Sequence, residues 1–179
     1  MSFENVIEQP TIPLQDFVLR PVRRSDQGLL EMYAGDKRVS GNTSTIPHPL
    51  PPGATEAFVR RAQAADRVED VWVIDGTIGN QSEVLGVVSL ERMDRNQSEI
   101  GYWIAPGLWN TGIASTAVEA LVASNPQACR TIFATVFQDN QASARVLTNA
   151  GFAYVGDAES YSVAREATVP TWTYLKKLD

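Results

Sequence analysis

Residues 99–121 read Glu-Ile-Gly-Tyr-Trp-Ile-Ala-Pro-Gly-Leu-Trp-Asn-Thr-Gly-Ile-Ala-Ser-Thr-Ala-Val-Glu-Ala-Leu and predict a strand, a glycine turn and a helix. The strand is apolar and aromatic and stops at Pro106. Thr111 and Gly112 stand at the predicted helix start, and apolar residues recur after them at helical spacing. The first amides of a helix have no partner inside it, and the macrodipole adds partial positive charge. The turn is therefore predicted to bind a phosphate through its backbone.

Two familiar phosphate motifs do not fit this turn. Gly107 and Gly112 have the glycine spacing of a P-loop, but Ile113 and Ala114 stand where lysine and serine or threonine would bind phosphate and magnesium. A dinucleotide motif would need a third glycine and a place in the first strand-helix-strand unit. An ordinary glycine-containing helix start remains the alternative to a phosphate site.

The composition narrows the class of protein. A length of 179 residues, with 44% hydrophobic and 20% charged residues, predicts one globular domain spanning residues 1–179, with residues 1–13 as an extended arm. The start lacks the features of a secretory signal, and no apolar run predicts a membrane span. The single cysteine, Cys129, cannot form an internal disulfide, which favours the reducing cytoplasm. One cysteine and one histidine are too few for a cysteine-histidine metal site, so none is predicted. A net charge of −6 argues against a nucleic-acid partner and favours a neutral or cationic substrate.

Alternating and helical patterns place the other elements. A hairpin over residues 71–90 should be antiparallel, and the strand-helix-strand order after residue 98 should give a parallel pair. The segment 37–53 is rich in glycine and proline and is predicted to be an irregular loop that lines a site. Predicted strands cover residues 17–20, 71–74, 84–90, 98–104, 131–137, 152–155 and 171–175, and predicted helices follow Ser25 and cover residues 54–67, 112–125 and 140–150.

Four motifs in this order carry a resemblance to a known family. They are Glu99-Ile-Gly-Tyr-Trp-Ile-Ala-Pro, Trp109-Asn-Thr-Gly-Ile-Ala, Asn140-Gln-Ala-Ser-Ala-Arg-Val-Leu and Gly151-Phe. The chain resembles the GNAT superfamily of N-acetyltransferases, and with the opening Leu19-Arg-Pro it resembles the RimJ and RimL branch that acetylates ribosomal proteins. This implies an α/β (α+β) fold, with a mixed, mostly antiparallel sheet of six to seven strands, splayed at the central strand and covered by helices on both faces.

The resemblance implies acetyl-CoA as the acyl donor. In this family, a Gln/Arg-x-x-Gly-x-Gly/Ala loop wraps the pyrophosphate of coenzyme A, and the pantetheine arm pairs with the central strand. Trp109 occupies the first loop position here, whereas Gly112 and Ala114 are kept. For Tyr102 and Trp103 the alternative is plain core packing, and for Asn140 it is capping of its helix. The implied donor contacts are Tyr102, Trp103, Ile104, Asn110, Thr111, Gly112, Ile113, Ala114, Ser115, Asn140 and Ser143.

The implied reaction is direct attack of an amine on the thioester, with no covalent enzyme intermediate. A base must remove a proton from the amine, and Glu99 at the start of the central strand is the best-placed carboxylate, acting directly or through water. A solvated strand-end carboxylate is the alternative. Many relatives use a tyrosine, seven residues after the helix asparagine, to protonate the leaving thiolate, but Leu147 stands there. The Rim-like resemblance transfers this acid role to Ser143, which could instead only hydrogen-bond, or cap, the first turn of its helix.

The acceptor is predicted only by class. It is a protein N-terminus or a small-molecule amine, and His48 in the proline-rich loop is expected to contact it. The protein is expected to act as a monomer or homodimer. A noncatalytic acyl-CoA-binding module is the second hypothesis, because the tyrosine is missing at Leu147.

Overall fold

The computed structural model describes residues 9–178 and contains one eight-stranded sheet in the order β1-β2-β3-β4-β5-β6-β8-β7. All neighbouring strands are antiparallel except β5 and β6. The strands are β1 (Ile12–Pro13), β2 (Val18–Pro21), β3 (Glu69–Asp75), β4 (Gly86–Met93), β5 (Gln97–Ile104), β6 (Thr131–Phe137), β7 (Ala153–Ser162) and β8 (Ala167–Lys177).

Helices cover both faces of this sheet, as predicted. Along β3, Trp72 and Ile74 join a large core cluster with α4 and α5, whereas Val71 and Val73 join a smaller one with α1 and α3. This alternation follows from the two-residue period of a strand. The helices are α1 (Gln27–Ala34), α2 (Lys37–Ser40), α3 (Ala54–Gln63), α4 (Ile113–Ser124) and α5 (Gln141–Asn149), with short 3-10 turns at Arg24–Asp26, Thr77–Gly79 and Pro106–Leu108. No helix among the described residues is long and apolar enough to cross a membrane.

The prediction of six to seven strands was too low. The additional strand is β1, whose Ile12 pairs with Leu19 of β2 at the edge of the sheet. Two residues are too few to give a periodic pattern, and Pro13 is compatible only with an edge strand. Of the predicted arm, residues 1–8 lie outside the described part of the chain.

Several predicted boundaries also differ. The segment 37–53 is not irregular throughout, because α2 forms its first turn and the Asp36 side chain accepts a 2.9 Å hydrogen bond from the Arg38 amide. Both β7 and β8 extend well beyond their predicted limits. Much of β7 is exposed, so pairing with β8 rather than an apolar pattern defines its length.

The parallel pair β5 and β6, predicted from the strand-helix-strand order, is confirmed. Their pairing is short: it runs from Gln97 opposite Thr131 to Glu99 opposite Phe133 and then stops. Both strands continue beyond it, while β5 stays paired with β4 over its whole length. The sheet therefore opens between β5 and β6, as the fold prediction required.

A buried ion cluster connects β2 to its surroundings. Arg20 Nη2 lies 2.7 Å from Asp26 Oδ1, and Arg20 Nε lies 2.7 Å from Asp75 Oδ2. Asp26 is fully buried in the 3-10 turn before α1, and its carboxylate also accepts from the Arg23 amide at 2.7 Å. Arg20 thus fixes the start of α1 against the end of β3.

Candidate active site

The opening between β5 and β6 is part of a cleft of about 960 Å³. The starts of α4 and α5 line one side, and α3 and the segment after α2 line the other. The cleft therefore passes through the sheet at the place where β5 and β6 separate. A ligand bound in it can meet side chains from both faces.

The turn before α4 has the backbone geometry that the predicted anion site requires. Asn110 has a φ of 62° and Gly112 a φ of 84°, and α4 begins at the next residue. Within the described chain, the amides of residues 110–115 have no hydrogen-bond acceptor. Thr111 Oγ1 donates to the carbonyl oxygen of Leu108 at 2.5 Å and holds the turn closed. Consecutive free amides at a helix N-terminus bind an anionic group without a basic side chain.

Trp109 connects this turn to the central strand. Its indole Nε1 donates a 2.8 Å hydrogen bond to the carbonyl oxygen of Ile104, the last residue of β5. The side chain is 41% exposed, so the indole covers the strand end rather than filling the core. Trp109 thereby positions the amide turn relative to the open edge of β5.

The start of α5 presents two predicted residues to the cleft. Asn140 caps the helix, because its Oδ1 accepts from the Ser143 amide at 3.3 Å, so the capping alternative describes its contact correctly. Ser143 does not use its hydroxyl as a cap. Its Oγ lies 2.5 Å from Tyr102 Oη of β5. Burial raises the pKa of Tyr102 to about 12, although the hydrogen bond to Ser143 lowers it in part.

Glu99 lies at the point where the sheet opens, half-buried on the wall of the cleft. In the strand register it stands opposite Glu91, which in turn stands opposite Glu69. Directly opposed residues share one face, so three carboxylates form a row on the α3 side of the sheet. Burial, followed by the charges of Glu91 and Glu69, raises the pKa of Glu99. Such a carboxyl is a stronger base than an exposed glutamate.

Glu69 and Glu91 are not among the site residues that the sequence predicts. They lie on separate strands, and only the register of β3, β4 and β5 brings them level with Glu99. Glu69 and Glu91 lie just beyond the two ends of the predicted hairpin, residues 71–90, and continuing its register outward places them opposite each other. Glu69 also faces Ser89, whose Oγ is 3.5 Å from Glu69 Oε2.

The remaining predicted residues fall into three groups. Tyr102 and Trp103 both line the cleft but from opposite faces of β5, and Trp103 packs edge-to-face on Tyr33 with ring centroids 6.3 Å apart. Ile104 is mostly buried and also lines the cleft. His48 is exposed, and among the described residues its neighbours Pro47 and Leu50 line the cleft while His48 does not.

Comparison with known proteins identifies a family. A family model described as an acetyltransferase (GNAT) domain matches residues 16–153. Comparison with curated proteins gives no significant match. The family match covers the amide turn, the open strand pair and the start of α5.

Solved structures share the whole architecture. RimL, a ribosomal L7/L12 α-N-protein acetyltransferase solved with coenzyme A, has 20% identity and a TM-score of 0.79 over 95% of this chain and 99% of its own. RimJ from Mycobacterium smegmatis has 20% identity and a TM-score of 0.77 over 94% of this chain and 87% of its own. Spermidine N-acetyltransferase from Vibrio cholerae, solved with CoA and spermine, has 15% identity and a TM-score of 0.77 over 90% of this chain and 95% of its own. At these identities, the likeness shows a common fold.

Proposed function

The chain belongs to the acetyltransferase (GNAT) domain family, and from this membership we propose that it transfers the acetyl group of acetyl-CoA to a primary amine in a ternary complex. The observation that carries the proposal is the row of free amides at residues 110–115, located at one end of an opening in the sheet. An anionic group at this turn and an extended arm in the opening match the two parts of coenzyme A. Membership of the family implies no metal for this chemistry.

The donor is proposed to bind across the α4 and α5 side of the cleft. The pyrophosphate accepts hydrogen bonds from the turn before α4, whose dipole favours negative charge. The pantetheine arm enters between β5 and β6, where the parallel pairing has ended and backbone groups of residues 100–104 face the gap. Ser143 and Asn140 line the same part of the cleft and border the arm.

The acceptor amine is proposed to enter from the α3 side and to lose its proton to Glu99. An alkyl ammonium is protonated at neutral pH and cannot attack, so removal of a proton must precede or accompany acyl transfer. The raised pKa of Glu99 supports this role. A backbone amide of β5 then stabilises the oxyanion, and the hydroxyl of Ser143 protonates the leaving sulfur.

The row formed by Glu69, Glu91 and Glu99 supports a cationic acceptor. Three carboxylates on one wall attract an ammonium group and repel an anionic substrate. Both a protein N-terminus and a small-molecule amine satisfy this condition. We place the reaction in the cytoplasm, the compartment that a chain with a single cysteine favours.

The proposed function is tested on one preparation of the whole chain in two steps. Calorimetric titration measures binding of acetyl-CoA and of free coenzyme A, and thiol release is then followed with alkyl monoamines, alkyl diamines and peptides of differing N-terminal charge. Binding with thiol release supports the proposal, and the best acceptor identifies the substrate class. Binding without release from any amine favours a noncatalytic acyl-CoA-binding module, and no binding contradicts both.

Gly112→Val is expected to weaken coenzyme A binding about tenfold. The φ of 84° at Gly112 costs a residue with a side chain about 1–2 kcal/mol, so the turn relaxes and its amides move out of line. A Cβ at Gly112 has no atom within 4 Å, so steric clash does not contribute. Titration with free coenzyme A measures the change.

Gly107→Val is the matched control for this substitution. Gly107 lies in the preceding 3-10 turn, also has no atom within 4 Å of an added Cβ, and does not have a positive φ. The affinity of the Gly107→Val variant for coenzyme A should stay within twofold of the wild-type value. Equal affinities of the Gly112 variant and wild type would contradict an amide turn that binds the pyrophosphate.

A further inference from the structure

The hydroxyl pair of Tyr102 and Ser143 spans the opening in the sheet. Tyr102 comes from β5 and Ser143 from the first turn of α5, and Tyr102 Oη lies 2.5 Å from Ser143 Oγ and 3.1 Å from the Ser143 carbonyl oxygen. Both residues line the cleft. The two hydroxyls therefore lie where the donor arm is proposed to pass.

Ser143 alone is a poor acid for the leaving thiolate. An aliphatic hydroxyl holds its proton more tightly than a phenol, whose ordinary pKa is about 10, and more tightly even than Tyr102, whose pKa burial raises to about 12. The helix position at which a tyrosine would supply this proton is Leu147, which is fully buried in the large core cluster and carries no acidic group. Tyr102 brings a phenol to the same helix turn from the opposite wall.

The geometry allows the two hydroxyls to act in series. Each hydroxyl has one proton to donate and two lone pairs that accept. When Tyr102 donates to the Ser143 carbonyl oxygen at 3.1 Å, Ser143 Oγ donates to Tyr102; when the phenol proton turns to Ser143 Oγ at 2.5 Å, the serine proton is free to point into the cleft. A hydrogen bond donated by the phenol makes the serine proton more acidic, because it stabilises the charge that develops on Oγ.

Resting on the proposed function, we infer that Tyr102 supplies, through Ser143, the proton that the coenzyme A sulfur takes up as it leaves. The carbon–sulfur bond breaks and its electron pair remains on sulfur. This happens as the tetrahedral intermediate, whose carbon–nitrogen bond has already formed, collapses to the amide. The sulfur takes the Ser143 proton and Ser143 Oγ takes the Tyr102 proton. After the product leaves, the tyrosinate regains a proton from solvent, and Glu99 releases to solvent the proton that it took from the amine. Because Tyr102 acts through Ser143, it is a positioning residue rather than one that touches the sulfur.

Tyr102→Phe is expected to slow acyl transfer about 10²-fold, the lower end of the range for general acid catalysis. The ring is retained, so the affinity for acetyl-CoA should stay within twofold. The measurement is the single-turnover rate in H₂O and in D₂O, with acetyl-CoA binding followed by calorimetry. The solvent isotope effect should fall in the variant, because the coupled proton transfer is lost. Tyr154→Phe is the control, since Tyr154 is 54% exposed and bonds to Asp157 outside the cleft.

A double substitution separates a relay from a structural contact. In a Ser143→Ala background, Tyr102→Phe should cause no further loss, because its effect runs through the missing hydroxyl. If the rate losses of the two single substitutions multiply, the inference is overturned. An unchanged solvent isotope effect in the Tyr102 variant would also overturn it. Both outcomes leave the proposed function intact. Absence of turnover by the wild-type protein with every amine would overturn the proposed function itself, and the inference with it.

Discussion

Glu99→Gln should lower kcat/KM for acetyl transfer by about 10² to 10⁴-fold, the range observed when a general base is removed. The glutamine amide has the shape of the carboxyl group but cannot take a proton from the acceptor ammonium. Donor binding should be unchanged, since the amide turn lies at the other end of the opening. The measurement is initial-rate thiol release at several amine concentrations, together with titration of acetyl-CoA.

Glu119→Gln provides the control, because Glu119 is exposed on α4 and does not line the cleft within the described chain. Wild-type kcat/KM in the Glu99 variant would rule out the base assignment. The pH profile gives a second readout: activity should rise with pH as Glu99 loses its proton. Because Glu91 helps to raise the pKa of Glu99, Glu91→Gln should move this rise to lower pH. The rise due to Glu99 should be absent from the Glu99 variant, which keeps only the rise at alkaline pH as the free amine itself loses its proton.

Arg20→Met should destabilise the fold by about 3–5 kcal/mol, the cost of removing one partner from a buried ion pair. The substitution leaves the fully buried carboxylate of Asp26 without its cation, and Asp75 loses a 2.7 Å hydrogen bond. Burial acts to raise the pKa of Asp75, but the hydrogen bonds from Arg20 and Thr77 outweigh it and lower the pKa. The ion cluster therefore stabilises the fold at neutral pH, and this contribution is lost as the pH falls through the lowered pKa of Asp75.

Urea unfolding of the wild type and the variant measures this effect. Arg24→Met is the control, since Arg24 is exposed and lies only four residues further along the chain. The stability of this variant should differ from that of the wild type by less than about 0.5 kcal/mol. Adding Asp26→Leu and Asp75→Leu to Arg20→Met should recover part of the lost stability, because no unpaired buried charge then remains. A loss below 1 kcal/mol in Arg20→Met would show that the cluster contributes little net stability.

The central part of the fold could be predicted because its signals are local. The apolar strand, the glycine at the turn and the helical spacing after Gly112 all lie within one short segment, and the parallel pair follows from the connection between its strands. The two-residue strand β1 and the full length of β7 could not be predicted, although each pairs with the next strand along the chain. Strand β1 is too short to show a periodic pattern, and the exposed residues of β7 do not show an apolar one, so backbone pairing alone defines them.

The same distinction applies to the candidate site. The turn at residues 110–115 was predicted as an anion site and has the expected free amides, whereas the contact of Tyr102 with Ser143 depends on how far the sheet opens. The row of glutamates depends on register between three strands. A one-residue change in that register would place Glu91 on the other face. His48 lies in a loop that reaches the cleft, but its own side chain does not line the cleft, so its contact with the acceptor stays a prediction.

The two faces of β5 separate the residues proposed for the donor from those proposed for the acceptor. Tyr102 lies on the face covered by α4 and α5, and Glu99 lies on the face toward α3. Substitutions in residues 38–61 should therefore change the choice of amine without altering the residues proposed to hold the donor on the opposite face.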